Sequence, residues 1–419
     1  HNVINYFNNR IVILNKLHSE SGNKKYLIEI IGIADNYNPY LEQGIPAMRT
    51  QSSLIQLGEK NEFLYQCAIN ACWDIYELEN NQNYLIKAFE YSERAKALVL
   101  LLAANNVLVD ANTESSKNTD TDKYWRERIS SLNTRYLNSG NSDDSLLTLL
   151  THSIESYRFF QDSLLKIKDP LALQKYYIQP YTIDDIRKQL LSNKETLLEF
   201  KITDSHVYQF VVTKDKFAAF RWPVSILKDV EMLKNPYQLT IEKFIDPSYK
   251  LFSYFIEPLK KEYIRSDKLL IIPDKTLYEL NFELLVSSKK GKNFKEPDYL
   301  IKEKEITYLL SATSAIRLKG STARTNKKAL LYAPVFSDKM KSDYRESVKG
   351  NLLEDKFYYQ LLRQPFSLQA AMSIVNFIQG DLYTGQDAQE KRFKLSAGDY
   401  RILHLGTHAE ANNEDPLQS

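Results

Sequence analysis

The sequence predicts an α + α/β chain, in which an N-terminal array of helical repeats precedes an α/β domain built on a largely parallel central sheet. Three observations lead to this expectation. Before about residue 180 the apolar residues recur at helical spacing, and after Tyr181 short β-branched and aromatic runs replace that period. The later runs are almost wholly apolar and alternate with helical stretches, as strands covered on both faces do.

The helical part is clearest from Phe63, where Phe63, Leu64, Cys67, Ala68, Ala71, Cys72, Ile75 and Leu78 share one face until Asn80-Asn81-Gln82-Asn83 interrupts them. A second helix is expected over Tyr84 to Ala104. Its Ala88 and Ala95 are small where a neighbouring helix must come close. Two such helices joined by a short turn form the unit of a repeat array. The closing phrase Ala88-Phe89-Glu90-Tyr91-Ser92-Glu93-Arg94-Ala95-Lys96-Ala97 resembles a tetratricopeptide repeat, although Tyr76 stands where that motif has a small residue. An ordinary helical hairpin is the alternative. Residues 1–60 read as mostly helical, with the period too degraded to count repeats.

Repeats are therefore expected over 1–108, and a loop with a long helical linker over 109–180. Asp110 to Asp122 has almost nothing apolar and reads as a loop. Tyr124 to Tyr136 and Ser145 to Ile167 read as two amphipathic helices, the second ended by Asp169-Pro170.

An α/β domain is expected over 181–419, in two parts of about 181–325 and 326–419. Thr196 to Phe200, His206 to Val212 and Phe217 to Phe220 look like an antiparallel meander. Helical stretches follow near Val224 to Leu233 and Leu239 to Tyr263. Lys268 to Ile272, Ala329 to Ala333 and Tyr400 to Leu405 then read as buried strands, with a helix over Leu368 to Gln379 between the last two. Together they imply a parallel core, and ligands of such sheets bind beyond the carboxyl ends of the strands.

Composition narrows the function. Lys and Arg number 55 against 53 Asp and Glu, so there is no overall field to attract nucleic acid or anionic lipid, and neither is expected as a direct partner. The longest apolar run, Ala97 to Ala104, is far short of the ~18 residues that span a bilayer. Cys67 and Cys72 are the only cysteines and sit in a helical apolar pattern, which points to a reducing, cytoplasmic setting. The chain begins at His1 with no charged-then-apolar leader, so that end reads as the edge of a fragment. The run Lys289 to Lys295 is broken by Gly291 and followed by Glu296 and Asp298, which suits a solvated loop. Thr384-Gly385-Gln386 lacks the spacing and the Lys-Ser/Thr pair of a phosphate loop.

One residue type in one place carries chemistry. His408 lies three residues past the expected strand end in His404-Leu405-Gly406-Thr407-His408, where a ring can reach a crevice while the sheet holds its backbone. A strand-end histidine bonded to nearby backbone is the structural alternative.

Three phrases in order change the balance: Leu270-Ile271-Ile272-Pro273-Asp274 with Leu280-Asn281-Phe282-Glu283-Leu284-Leu285; Thr384-Gly385-Gln386-Asp387-Ala388-Gln389-Glu390; and His404 to His408. In these the chain, from roughly Tyr181 to its last residue, resembles the CHAT family, caspase-like cysteine peptidase domains often found behind tetratricopeptide repeats. The resemblance implies that His408 is the general base of a cysteine endopeptidase. It also implies that the backbone N–H of Ala409, where the family has Gly, lies in the oxyanion hole, and that His404 supports the site by packing and hydrogen bonding. No metal or organic cofactor is implied, and a strand lacking the metallopeptidase glutamate does not make His404 and His408 a zinc pair.

The implied nucleophile lies beyond the histidine at the end of the next strand, and neither Cys67 nor Cys72 matches it. Either the sequence ends early, or the intact protein is cut near here into two subunits, or a disordered loop separates this piece from the rest. Expected partners are a protein substrate and a controlling protein on the helices. Relatives of this architecture act in bacterial defence, some docked on RNA-guided CRISPR effectors. The rival is a catalytically inactive scaffold or sensor with a peptidase-like fold.

Overall fold

A computed structural model of the chain describes residues 2–44, 51–96, 117–138, 143–167, 169, 180–264, 267–319, 327–347 and 356–408. Contacts divide it into two compact units, His1–Ser321 and Thr322–Ser419.

In the first unit, α1 (Asn2–Ser21), α2 (Lys25–Gly44), α3 (Gln51–Glu79) and α4 (Asn83–Ala95) form two successive helical hairpins. The break between α3 and α4 falls at Asn80, whose φ of 51° is a left-handed value that asparagine tolerates. The end of the predicted second helix, residues 97–104, lies outside the described residues. A further hairpin, α5 (Lys117–Asn138) and α6 (Asp144–Lys166), packs on Leu132, Leu146 and Leu150. Residues 117–122, expected in a loop, are helical. The buried Asp122 explains this, since its carboxylate accepts from Arg126 at 2.9 Å and from the Tyr157 hydroxyl at 2.8 Å, pinning the first turns of α5 to α6.

After α7 (Ile183–Gln189), which opens on a Thr182–Asp185 capping box, comes a five-stranded sheet of order β3-β2-β1-β4-β5. Its strands are β1 (Glu195–Ile202), β2 (His206–Val212), β3 (Phe217–Pro223), β4 (Lys268–Ile272) and β5 (Glu305–Tyr308). The expectation of a largely parallel sheet is corrected here. β1, β2 and β3 pair antiparallel, whereas β4 runs parallel to β1 and β5 parallel to β4. The antiparallel meander expected over β1, β2 and β3 is found, forced by the short links 203–205 and 213–216; the sheet is mixed because β4 and β5 add to the same edge, and an apolar run reports burial on both faces but not which strands become neighbours.

Both faces of this sheet are covered. Leu197, Tyr208, Phe210 and Ile272 face α3, α4 and α10 (Ala312–Lys319), with Phe89 of α4 edge-on to Phe210 at 5.6 Å. Phe200, Val211 and Ile271 face α8 (Leu227–Leu233) and α9 (Ile241–Phe255), with Phe200 against Phe255 at 4.9 Å.

Buried charges also tie α4 to the sheet. Ser92 donates to Glu199 at 2.5 Å, Lys96 donates to the Phe200 carbonyl, and Glu93 accepts the N–H groups of Ala312 and Thr313 at 3.0 and 2.7 Å, capping α10. Lys201, 1% exposed, sits between Glu62 at 2.6 Å and Asp274 at 3.2 Å.

The second unit has a three-stranded sheet, β6 (Lys327–Ala333), β7 (Gly380–Thr384) and β8 (Tyr400–Leu405), of order β7-β6-β8 and parallel throughout. α12 (Pro365–Ile378) covers one face through Leu368, Ala371 and Val375. Phe393 of α13 (Glu390–Ser396) packs on the other, against Tyr332 and Tyr400. Among the described residues no helix is long and apolar enough to cross a membrane.

Candidate functional site

β6 is flanked by β7 on one side and β8 on the other, so the chain changes direction beside it and leaves a crevice beyond the strand ends. Three turns line that crevice, each with its own backbone device. After β6, Val335 and Phe336 have φ of 69° and 52°, a left-handed pair that side-chain-bearing residues rarely adopt and that costs roughly 1–3 kcal/mol per residue. The turn is held by the Gln364 N–H, which donates to the Val335 carbonyl at 3.0 Å, and it leads into α11 (Asp338–Ser347). After β7, Gly385 takes φ of 53° without strain and points the chain toward Gln386. After β8, the Gly406 N–H donates to the Tyr332 carbonyl at 2.8 Å; a Cβ there would stand 3.1 Å from that of Ser367, so a side chain at this position would press on α12.

His408 is half-buried at the end of the third turn. Its Nε2 lies 2.7 Å from the Leu362 carbonyl oxygen. A carbonyl only accepts, so Nε2 carries the proton and the lone pair of the neutral ring is on Nδ1. The Phe336 ring lies against the imidazole with centroids 5.1 Å apart. One contact fixes the tautomer and the other the ring plane, as a general base requires.

His404 is within β8, also half-buried, and its Nε2 comes within 3.6 Å of the position a Cβ on Gly406 would take. Among the described residues its ring makes no hydrogen bond. The strand ends at Leu405, so His408 lies beyond it and shares no strand face with His404. Ala409 lies outside the described residues. Cys67 and Cys72 are in α3, where burial pushes the Cys67 thiol up to about 11 and the Cys72 thiol higher, the opposite of what activates a nucleophile.

The crevice encloses a cavity of about 790 Å³. Tyr332 and Pro334 come to it from the end of β6, Gly385 and Gln386 from the end of β7, and Leu405 and Thr407 from the end of β8. The Thr384 to Glu390 phrase, which sequence left without a task, thus supplies one wall. The Leu280 to Leu285 phrase instead builds the core of the first unit, with Phe282 fully buried against Phe200 and Phe255. Sequence reasoning missed Leu362, which contributes only its carbonyl, and Phe336, whose role depends on an unusual backbone turn.

The family model of the CHAT domain matches residues 246–419. That stretch is accordingly similar to CHAT domains, a family of the caspase-like cysteine peptidase clan. The CHAT match starts within α9 and takes in β4, β5 and every described element of the second unit, His408 included. It does not reach the helices of residues 2–166, so their likeness to tetratricopeptide repeats gains nothing from it. No curated protein matches the chain.

Proposed function

We propose that the chain carries the histidine half of a caspase-like cysteine endopeptidase, with the nucleophilic cysteine supplied from outside residues 1–419. The observation that carries this is the His408 ring, held by the Leu362 carbonyl at Nε2 so that Nδ1 is left to take a proton, within a stretch similar to CHAT domains. In the proposed reaction Nδ1 removes the thiol proton as sulfur attacks the scissile carbonyl carbon. The tetrahedral oxyanion rests on backbone N–H groups, Ala409 among them, and collapse returns the proton to the departing amine. Water, activated by the same nitrogen, then hydrolyses the thioester.

The Leu362 carbonyl stabilises the imidazolium formed midway, the part a carboxylate plays in other triads. The helices of the first unit are proposed to receive the controlling protein partner, in a defence role in bacteria. The test is to express the full-length gene product with its partner and follow cleavage. His408→Ala should lower the rate by at least about 10³-fold while the circular dichroism spectrum stays unchanged. A full-length chain with no cysteine at a strand end after His408, or unchanged cleavage by the variant, would reject the peptidase and favour the scaffold.

A further inference from the structure

The cavity beyond β6, β7 and β8 has a lining of one chemical character. Its volume of about 790 Å³ suits a side chain with flanking peptide, and aromatic rings from Tyr332, Phe336, Tyr344, Tyr358 and Phe393 wall it. Among the described residues, the charged ones that line it are Asp343 and Glu390, with no lysine or arginine. Gln386 donates its Nε2–H to the Asp343 carboxylate, which fixes that group in place.

A further observation points to a missing ligand. Tyr332 is only 4% exposed, yet its hydroxyl is buried without a hydrogen-bond partner among the described residues. Buried hydroxyls are nearly always paired, and Tyr332 is one of the residues lining the cavity, so a ligand that enters and shifts the lining is a candidate partner for it.

Three classes of occupant can be compared. An anionic side chain would meet two carboxylates and the negative faces of the rings. A purely apolar one would suit the rings but leave the Tyr332 hydroxyl unpaired and strip water from Asp343. A cation on an apolar stem satisfies all of these groups: the stem packs between rings, the head gains from their π-faces, and its N–H groups are accepted by the Tyr332 oxygen and the Asp343 carboxylate.

We propose that this cavity receives an arginine or lysine side chain of a bound peptide, with Asp343 and Tyr332 setting that preference. In calling the peptide a substrate, the proposal rests on the peptidase reading; the binding preference itself does not.

The test uses the 419-residue chain and acetylated hexapeptide amides that differ only at one central position, arginine, lysine, norleucine or glutamate, with binding followed by NMR shifts of the tyrosine ring protons. Saturable binding of the arginine and lysine peptides, at least about tenfold tighter than the other two, is expected. Asp343→Asn and Tyr332→Phe should each weaken it severalfold, and Asp343→Lys should turn the preference toward the glutamate peptide. Binding of norleucine or glutamate peptides as tight as that of arginine, no saturable binding at all, or an Asp343→Lys chain that still prefers arginine would each overturn the proposal. The two readings fail separately. A full-length protein that binds basic peptides and cleaves nothing defeats the peptidase alone; one that cleaves only after acidic or apolar residues defeats the pocket assignment alone.

Discussion

Phe336 lies against the His408 imidazole, ring centroids 5.1 Å apart, from a backbone at φ 52° that phenylalanine seldom adopts. The ring therefore limits where the imidazole can swing. Under the proposed peptidase reading, Phe336→Ala in the full-length protein is expected to lower kcat on the order of 10²-fold with KM little changed, because small misplacements of a general base are expensive. Steady-state kinetics checks it; an unchanged kcat would mean the Leu362 carbonyl positions His408 unaided.

Gly406 tests how tightly the third turn is built. A Cβ at this position meets Ser367 at 3.1 Å and the Tyr332 carbonyl oxygen at 3.4 Å, so Gly406→Val must push α12 away from the end of β8. A loss of about 1–3 kcal/mol is expected, read by urea unfolding of the whole chain.

Lys201 joins two acidic groups inside the first unit. Burial alone would push the Asp274 carboxyl up, but Lys201 and Lys96 beside it, with the Ile202 N–H, hold it below the usual carboxylate range. Lys201→Met removes the charge and leaves Asp274 and Glu62 facing each other. The expected cost is about 3–5 kcal/mol, and Asp274→Asn in the same chain should recover part of it, as a double-mutant cycle by denaturant unfolding would show.

Glu199 gives a pH dependence of defined sign. Burial first, and then the neighbouring Glu93 carboxylate, raise its carboxyl well above the ordinary value of 4.5, with Lys96 and Ser92 opposing. The folded chain keeps this proton where the unfolded chain has released it. Its contribution to stability is thus full below pH 4.5 and is lost as pH rises from there toward the folded value. Glu199→Gln, which mimics the neutral acid, is expected to flatten that decline between pH 5 and 8. Unfolding midpoints that fall equally in both chains over that interval would refute the assignment.

Legibility followed the kind of signal each element emits. β2 and β4 were readable because burial on both faces writes an apolar run, and the short links made the antiparallel course of β1, β2 and β3 readable too; that β4 would join their sheet was not, because nothing local to Lys268 to Ile272 specifies its neighbours. β5 went unseen since it lies at a sheet edge with Glu305, Thr307 and Tyr308 exposed. β7 went unseen since it opens on Gly380-Asp381, turn residues by type, although Gly380 is there because a Cβ would stand 2.5 Å from the Ala329 carbonyl oxygen. At the site, His408 was legible as a chemical group placed after a strand. The Leu362 carbonyl was not, because any residue supplies one, and the proposed pocket was not, because Tyr332 of β6, Gln386 after β7 and Asp343 of α11 line one cavity only in the folded chain.

The packing of α4 on the five-stranded sheet has an evolutionary and practical consequence. Phe89 and Phe210 share one core, and Ser92, Glu93 and Lys96 complete polar networks begun by β1 and α10. A cut between helices and sheet would bare an oily face and strand charges in it. The helical layer is thus no interchangeable adaptor that recombination could swap for another. α4 bears on β1 directly through these contacts, and excision at residue 180 should yield an aggregating remnant in place of a smaller soluble one.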